Sequence, residues 1–264
     1  MNRAVWEKRI ERAAVVGERE RCPREVLTFY ESILEVQQRV YQDILQSPQL
    51  FIKDASFREQ LNIETAQRYL PALLALVREK GPRKLADEAL ALAGSDSAAL
   101  QQMLSAFLRP GEHGTAPPAS FFALTVLQPC AEFLAMQCEK QAGFAGPVCP
   151  ICGSQPLLAV LRPEGDGGKR YLTCAFCLTE WEFRRMLCPT CNEGDSEKLP
   201  RYSADDWPAV RVEGCDTCKH YLKSIDLTVD GLAVPIVDEV ATAALDVWAV
   251  EHGYRKIQAN LMGF

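Results

Sequence analysis

The chain has 264 residues, 48% of them hydrophobic and 24% charged, with a formal net charge of -6. That length suffices for one large domain or two modest ones whose cores need no metal, and the absence of any apolar run near the ~18–20 residues that cross a bilayer predicts a globular protein without membrane insertion. The acidic balance would repel a phosphate backbone and argues against nucleic acid as a partner.

The opening stretch MNRAVWEKRIERAAVVGERERC, 1–22, alternates charge with short apolar patches and lacks the continuous apolar centre of a secretory signal, so a cytoplasmic location is expected. From there the chain reads as helices. After Pro23, suited to a first turn, Leu27, Tyr30, Leu34, Tyr41 and Leu45 recur at helical spacing. Tyr69, Leu73, Leu76 and Val77 continue the pattern, with Pro71 expected to kink or restart the helix and Gly81-Pro82 to stop it. Two shorter helices follow, one ended by Gly94 and one begun by a Ser or Asp cap. The Gly- and Pro-rich segment 109–118 is a loop, and 119–141 returns to helical spacing with Pro129 as an expected kink. Five or six helices with short connections predict an all-α bundle.

From 146 the pattern changes. PLLAVL and KRYLTC are strand candidates around a glycine-bearing turn, and VRVEG and YLKSIDL form a second pair. DEVATAALDVWAVEHG predicts a closing helix capped by Asp238. The predicted fold class is α+β: an all-α bundle over 1–145, four-cysteine metal-binding modules of the rubredoxin or zinc-ribbon kind over 146–183 and 184–230, and a helix and tail over 231–264.

Cysteine usage sets this division. Three of eleven cysteines, Cys22, Cys130 and Cys138, are scattered through the first part, and the other eight form four CxxC pairs: Cys149/Cys152, Cys174/Cys177, Cys188/Cys191 and Cys215/Cys218. In a reducing compartment such spacing points to metal or redox work rather than structural disulfides, and the rival, a set of catalytic disulfides, expects a βαβ surrounding that the sequence lacks. Each CxxC turns two sulfurs toward one point, and two such knuckles close a tetrahedron, so four make two sites. The gaps within the first two pairs and within the last two each suit one hairpin, which favours sequential pairing; interleaved pairing stays open. Iron and zinc both suit such sites. Gly153 and Asn192 follow their knuckles and tolerate left-handed backbone, whereas Leu178 and Lys219 do not, which predicts two less regular or strained knuckles.

Other candidates carry less. His220 follows the last knuckle but competes with four thiols. His113 and His252 lack a neighbouring nucleophile or carboxylate constellation and are read as surface residues. Cys130 and Cys138 are expected to pack, and Trp181 and Trp207 to shield the sites or fill small cores. No phosphate loop, dinucleotide glycine pattern or activated serine is present, so no catalytic residue is assigned.

The segments GFAGPVCPICGSQP, YLTCAFCLTEWEFRRMLCPTC and EGCDTCKHYLKSID resemble, in order and spacing, the formate dehydrogenase accessory protein FdhE family, closely over about 143–226 and more loosely in the tail EHGYRKIQANLMGF. The resemblance implies two rubredoxin-like sites ligated by the eight paired cysteines. It matches Trp181, Arg185 and Tyr221-Leu222-Lys223 to accompanying positions without assigned roles. It implies a cytoplasmic chaperone, not an enzyme, for maturation of the catalytic subunit of a respiratory molybdenum formate dehydrogenase. The two metal ions, iron or zinc, would then be structural or redox-sensing elements, and a homodimer is compatible with this reading. Lys219 departs from a glycine common in the family, and the leading region is short for it. The alternative is a rubredoxin-like iron protein for redox or electron transfer.

Overall fold

The structure, a computed structural model, describes residues 3–19, 21–46, 55–109, 118–139, 141, 143–165 and 167–264; residues 110–117 of the predicted loop, His113 among them, lie outside these. Seven helices precede the first CxxC pair among the described residues. They are α1 (Arg3–Gly17), α2 (Arg24–Gln46), α3 (Ile63–Gln67), α4 (Leu70–Lys80), α5 (Arg83–Ala93), α6 (Ser97–Phe107) and α7 (Pro118–Ala135).

Leu27, Tyr30, Leu34 and Tyr41 are buried as their spacing predicts, while Leu45, in the last turn of α2, is exposed. Pro71 restarts the chain rather than kinking it: α3 ends at Gln67, and α4 takes Pro71 in its first turn, where a missing N–H leaves no bond unmade. Asp96 is the cap of α6, accepting from the Ala99 amide at 2.8 Å.

Helix α7 runs through Pro129 without ending. A proline at that position leaves the carbonyl of Thr125 without its helical donor. The Gln37 side chain of α2 supplies one instead, donating Nε2–H to Thr125 O at 3.2 Å and to Gln128 Oε1 at 3.1 Å. Gln128 in turn donates to Ala175 O at 3.0 Å, so this buried amide pair ties α2 and α7 to the second knuckle.

The second half is β1 (Pro156–Glu164), β2 (Gly167–Cys174), β3 (Glu180–Glu182), β4 (Arg201–Ser203), β5 (Val210–Gly214), β6 (His220–Asp226), α8 (Pro235–Ala241), α9 (Ala243–Glu251) and β7 (Arg255–Lys256). The strands form one sheet in the order β3-β2-β1-β6-β5-β4, with β7 beside β6. Pairing is antiparallel within β3-β2-β1 and within β6-β5-β4; β1 and β6 join the two triplets in parallel. In each triplet the first strand follows a knuckle, the second leads into the next knuckle and the third follows that knuckle. The sheet is therefore one ribbon repeated side by side in the same orientation.

The apolar run of β1 is buried on both faces, which is why PLLAVL shows no alternation. Ala159 and Leu172 join Ile33, Leu73, Phe122 and Leu127 in the core of the helical half. Leu158, Val160, Val212 and Ile225 pack with Leu245 and Ala249 of α9 in a separate core.

The closing segment differs from the predicted single helix capped by Asp238. It breaks at Thr242 into α8 and α9, and α8 begins at Pro235. Asp238 lies one turn in, where its Oδ2 accepts the Val234 amide at 2.7 Å and its Oδ1 pairs with Arg12 of α1 at 2.5 Å. The carboxylate thus stabilises the helix start from inside and anchors α1.

Candidate metal centre

The eight paired cysteines converge as two quartets, Cys149/Cys152/Cys174/Cys177 and Cys188/Cys191/Cys215/Cys218, each with all four Sγ atoms within 4.8 Å of one another. Pairing is sequential. In each quartet the first sulfur faces the last and the inner two face each other: Cys149–Cys177 at 3.5 Å and Cys152–Cys174 at 3.3 Å, Cys188–Cys218 at 3.7 Å and Cys191–Cys215 at 3.6 Å. A disulfide would hold sulfurs at about 2.05 Å. Four sulfurs each about 2.3 Å from one ion stand about 3.8 Å apart. The four facing pairs are slightly tighter than that and every other pair lies within 4.8 Å, and the donor set fits a single iron or zinc ion in each quartet.

One backbone device builds all four corners. The amide of each first cysteine donates to the carbonyl five residues on: Cys149 to Ser154, Cys174 to Thr179, Cys188 to Glu193 and Cys215 to His220, all at 2.9 Å. The residue after each second cysteine is left-handed, with φ of 72° at Gly153, 56° at Leu178, 60° at Asn192 and 58° at Lys219. The predicted irregularity of two knuckles is thus resolved as shared geometry with unequal strain: Leu178 and Lys219 adopt a backbone that Gly153 reaches without a Cβ clash.

The tight turns also aim amides at sulfur. Ile151 N–H donates to Cys149 Sγ at 3.4 Å, Phe176 N–H to Cys174 Sγ at 3.3 Å and Thr190 N–H to Cys188 Sγ at 3.4 Å. Such donors favour thiolate, whereas burial, followed by the three neighbouring thiols, drives Cys174 well above the ordinary thiol range. A divalent cation resolves this conflict. A closed site of four thiolates leaves no coordination position for substrate, and an ion held in it adds its binding free energy to folding.

The quartets have different surroundings. In the first, Cys149, Cys174 and Cys177 are 3%, 0% and 1% exposed, in the same core as Phe122, Phe176 and Trp181. Arg58 from the helical half lies over the Phe176 ring at 5.0 Å and donates to Ser154 Oγ at 2.8 Å. Trp181 donates Nε1–H to Gly146 O at 2.9 Å. In the second quartet Cys191 is exposed and Cys218 half-buried. Trp207, partly buried, packs against the separate core that holds α9.

The remaining sequence candidates stay outside. His220 makes a 3.0 Å hydrogen bond between Nδ1 and Cys218 O, and exposed His252 stacks on Trp248. Cys130 is buried in α7, where burial pushes its thiol up to about 12, and Cys138 is half-buried just past that helix.

Sequence reading missed a buried charge cluster beneath the second ribbon. Lys223 of β6 is fully buried and reaches Asp246 of α9 at 2.5 Å, Glu239 of α8 at 3.3 Å and Thr242 O at 3.2 Å. Lys256 of β7 bridges Glu239 and Asp246, Asn260 donates to Glu239 at 2.6 Å and Tyr221 donates to Asp246 at 2.9 Å. The charges alternate, so each is paired on more than one side. The sequence signal for it is Lys223 itself, set in a strand among the apolar residues Tyr221, Leu222 and Ile225.

Two family models match the second half: "FdhE, central domain" over residues 148–185 and "FdhE, C-terminal domain" over 186–262. A protein of Aquifex aeolicus named "Protein FdhE homolog" is 31% identical over 216 residues, covering 80% of this chain and 75% of that protein. One of Haemophilus influenzae with the same name is 29% identical over 217 residues, covering 76% and 70%. "Protein FdhE" of Escherichia coli is 35% identical over 113 residues, covering 42% and 36%. The crystal structure of the FdhE protein from Pseudomonas aeruginosa superposes with a TM-score of 0.71 at 24% identity, covering 99% of this chain and 96% of that one, and so shares the fold.

Proposed function

This chain belongs to the FdhE family, and from that membership we propose that it is a non-catalytic accessory protein for maturation of the catalytic subunit of a respiratory molybdenum formate dehydrogenase, acting in the cytoplasm. The eight paired cysteines are its metal ligands, holding two ions of iron or zinc. The observation that carries the reading is the pair of cysteine quartets built by one repeated knuckle, a closed chemistry suited to bracing a surface rather than to turnover. No helix among the described residues is long and apolar enough to cross a membrane, consistent with action before the subunit is exported. The chain divides functionally into the helical unit 1–145, the ribbons 146–183 and 184–230, and the closing segment 231–264.

The test is a strain lacking this protein. Formate oxidation falls there and returns with the wild-type chain but not with a Cys149→Ala/Cys177→Ala chain, and the formate dehydrogenase catalytic subunit co-purifies with the wild-type chain. Undiminished formate oxidation in the deletion strain would end the proposal.

A further inference from the structure

The segment Phe183–Leu187, which leads from β3 to the third knuckle, is held by arginines from both ribbons. Arg170 of β2 donates to Arg184 O at 3.0 Å, and Arg201 of β4 donates to Arg185 O at 2.9 Å. Arg185 donates to Gly168 O at 3.3 Å. Two adjoining cavities flank this segment, and Arg170 and Arg185 line both. One is an open groove of about 380 Å³ at the end of β2, and the other a small cavity of about 30 Å³ beside Cys188 and Cys215.

Five cations line these cavities: Lys169, Arg170, Arg184, Arg185 and Arg201. They face three carboxylates, Glu164, Glu182 and Glu213. The carboxylates are already engaged, Glu164 and Glu182 by Lys169 at 3.4 and 2.8 Å and Glu213 by Arg170 at 2.7 Å. Among the described residues Arg184, Arg185 and Arg201 have no carboxylate within 4.0 Å. Arg170, 3% exposed, keeps its buried Nε–H without an acceptor. A filled second quartet carries a formal dianion beside the smaller cavity, yet no guanidinium donates to its sulfurs among the described residues; Thr190 N–H does.

We propose that this groove binds an extended acidic peptide segment of a partner protein, whose carboxylates take the fork-shaped donors of Arg184 and Arg185. Planar guanidinium suits bidentate carboxylate recognition. On a chain of net charge -6, the groove's own lining, four cations against two carboxylates, selects acidic peptide without drawing in nucleic acid, which the rest of the surface repels. The inference rests on the accessory reading and names the surface that reading lacks.

Fluorescence anisotropy with a labelled oligoglutamate peptide and the full, metal-loaded chain tests it without any formate dehydrogenase. Saturable binding that weakens as salt is raised from about 50 to 300 mM is expected. Arg184→Glu, whose side chain makes no bond to the described residues, weakens binding about tenfold, and Arg185→Gln weakens it less. Lys84→Gln on α5 leaves it unchanged. Metal content and near-ultraviolet circular dichroism, matched across variants, separate lost docking from lost folding. Absence of saturable binding, equal binding by Arg184→Glu, or equally tight binding of an oligothymidylate of matched charge would each overturn the proposal. A failed oligoglutamate titration alongside intact co-purification of the catalytic subunit would remove this groove and leave the accessory role standing.

Discussion

Leu178 ends the second knuckle at φ 56° and Asn192 the third at φ 60°, yet asparagine occupies that region at little cost while a leucine Cβ does not. Leu178→Gly should stabilise the metal-loaded protein by about 0.5–1 kcal/mol, the left-handed penalty less the added freedom of the unfolded glycine, while Asn192→Gly changes little; thermal unfolding decides. Lys219→Gly gains less than Leu178→Gly because the lysine also pairs with Asp216 at 2.7 Å. Glu239 sets the response to acid. Burial opposes its ionisation, but Lys223 and Lys256 prevail and hold it at about 2. Its native value is depressed, so its contribution is complete above the unfolded carboxyl range near 4.5 and is lost as pH falls through about 2. Denaturant titrations over that window should show the parent losing on the order of 3 kcal/mol more than Glu239→Gln, compared at each pH because acid also strips thiolate-bound metal. The charge cluster was not legible beforehand: a lysine in YLKSIDL reads as an outward polar residue until α8 and α9 are placed over it.

Among elements, legibility followed length and chemistry. The cysteine spacing specified both quartets and favoured their sequential order, and the four longer strands lay on runs visible in the sequence, whereas β3, β4 and β7 have only two or three residues and no periodicity to read. Helix α1 escaped because its buried residues, Trp6, Ala13 and Val16, are too sparse for an apolar stripe; buried arginines complete its inner face, Arg9 reaching Glu132 at 2.6 Å and Arg12 reaching Asp238. The two quartets, built alike, should behave differently because of what surrounds them. A chelator should withdraw metal in two phases of equal size, the faster from the quartet whose Cys191 meets solvent, and Cys191→Ser should abolish only the faster phase. Cys177→Ala should cost the other ion and detach the first ribbon from Phe107 and Arg58 while most of the helical signal persists, as read by metal analysis and far-ultraviolet circular dichroism.

At the scale of the molecule, the last residues bind the parts together. Ile257, Leu261 and Met262 lie against the core of the helical half, the last two also against the α1–α2–α8 cluster, while Lys256 and Asn260 hold Glu239. Truncation after Tyr254 should therefore accelerate amide exchange in both halves at once, at a cost of about 3 kcal/mol or more, since it strips partners from a buried carboxylate. The side-by-side repetition of the ribbon has a consequence of its own. Copies related by rotation would put the same strand at both edges of the sheet, but copies related by a shift leave the third strand of one, β3, and the first strand of the other, β4, at the edges. Repetition of such a ribbon by a shift creates inequality at once, before any residue changes: each copy leaves open the edge that its twin has covered.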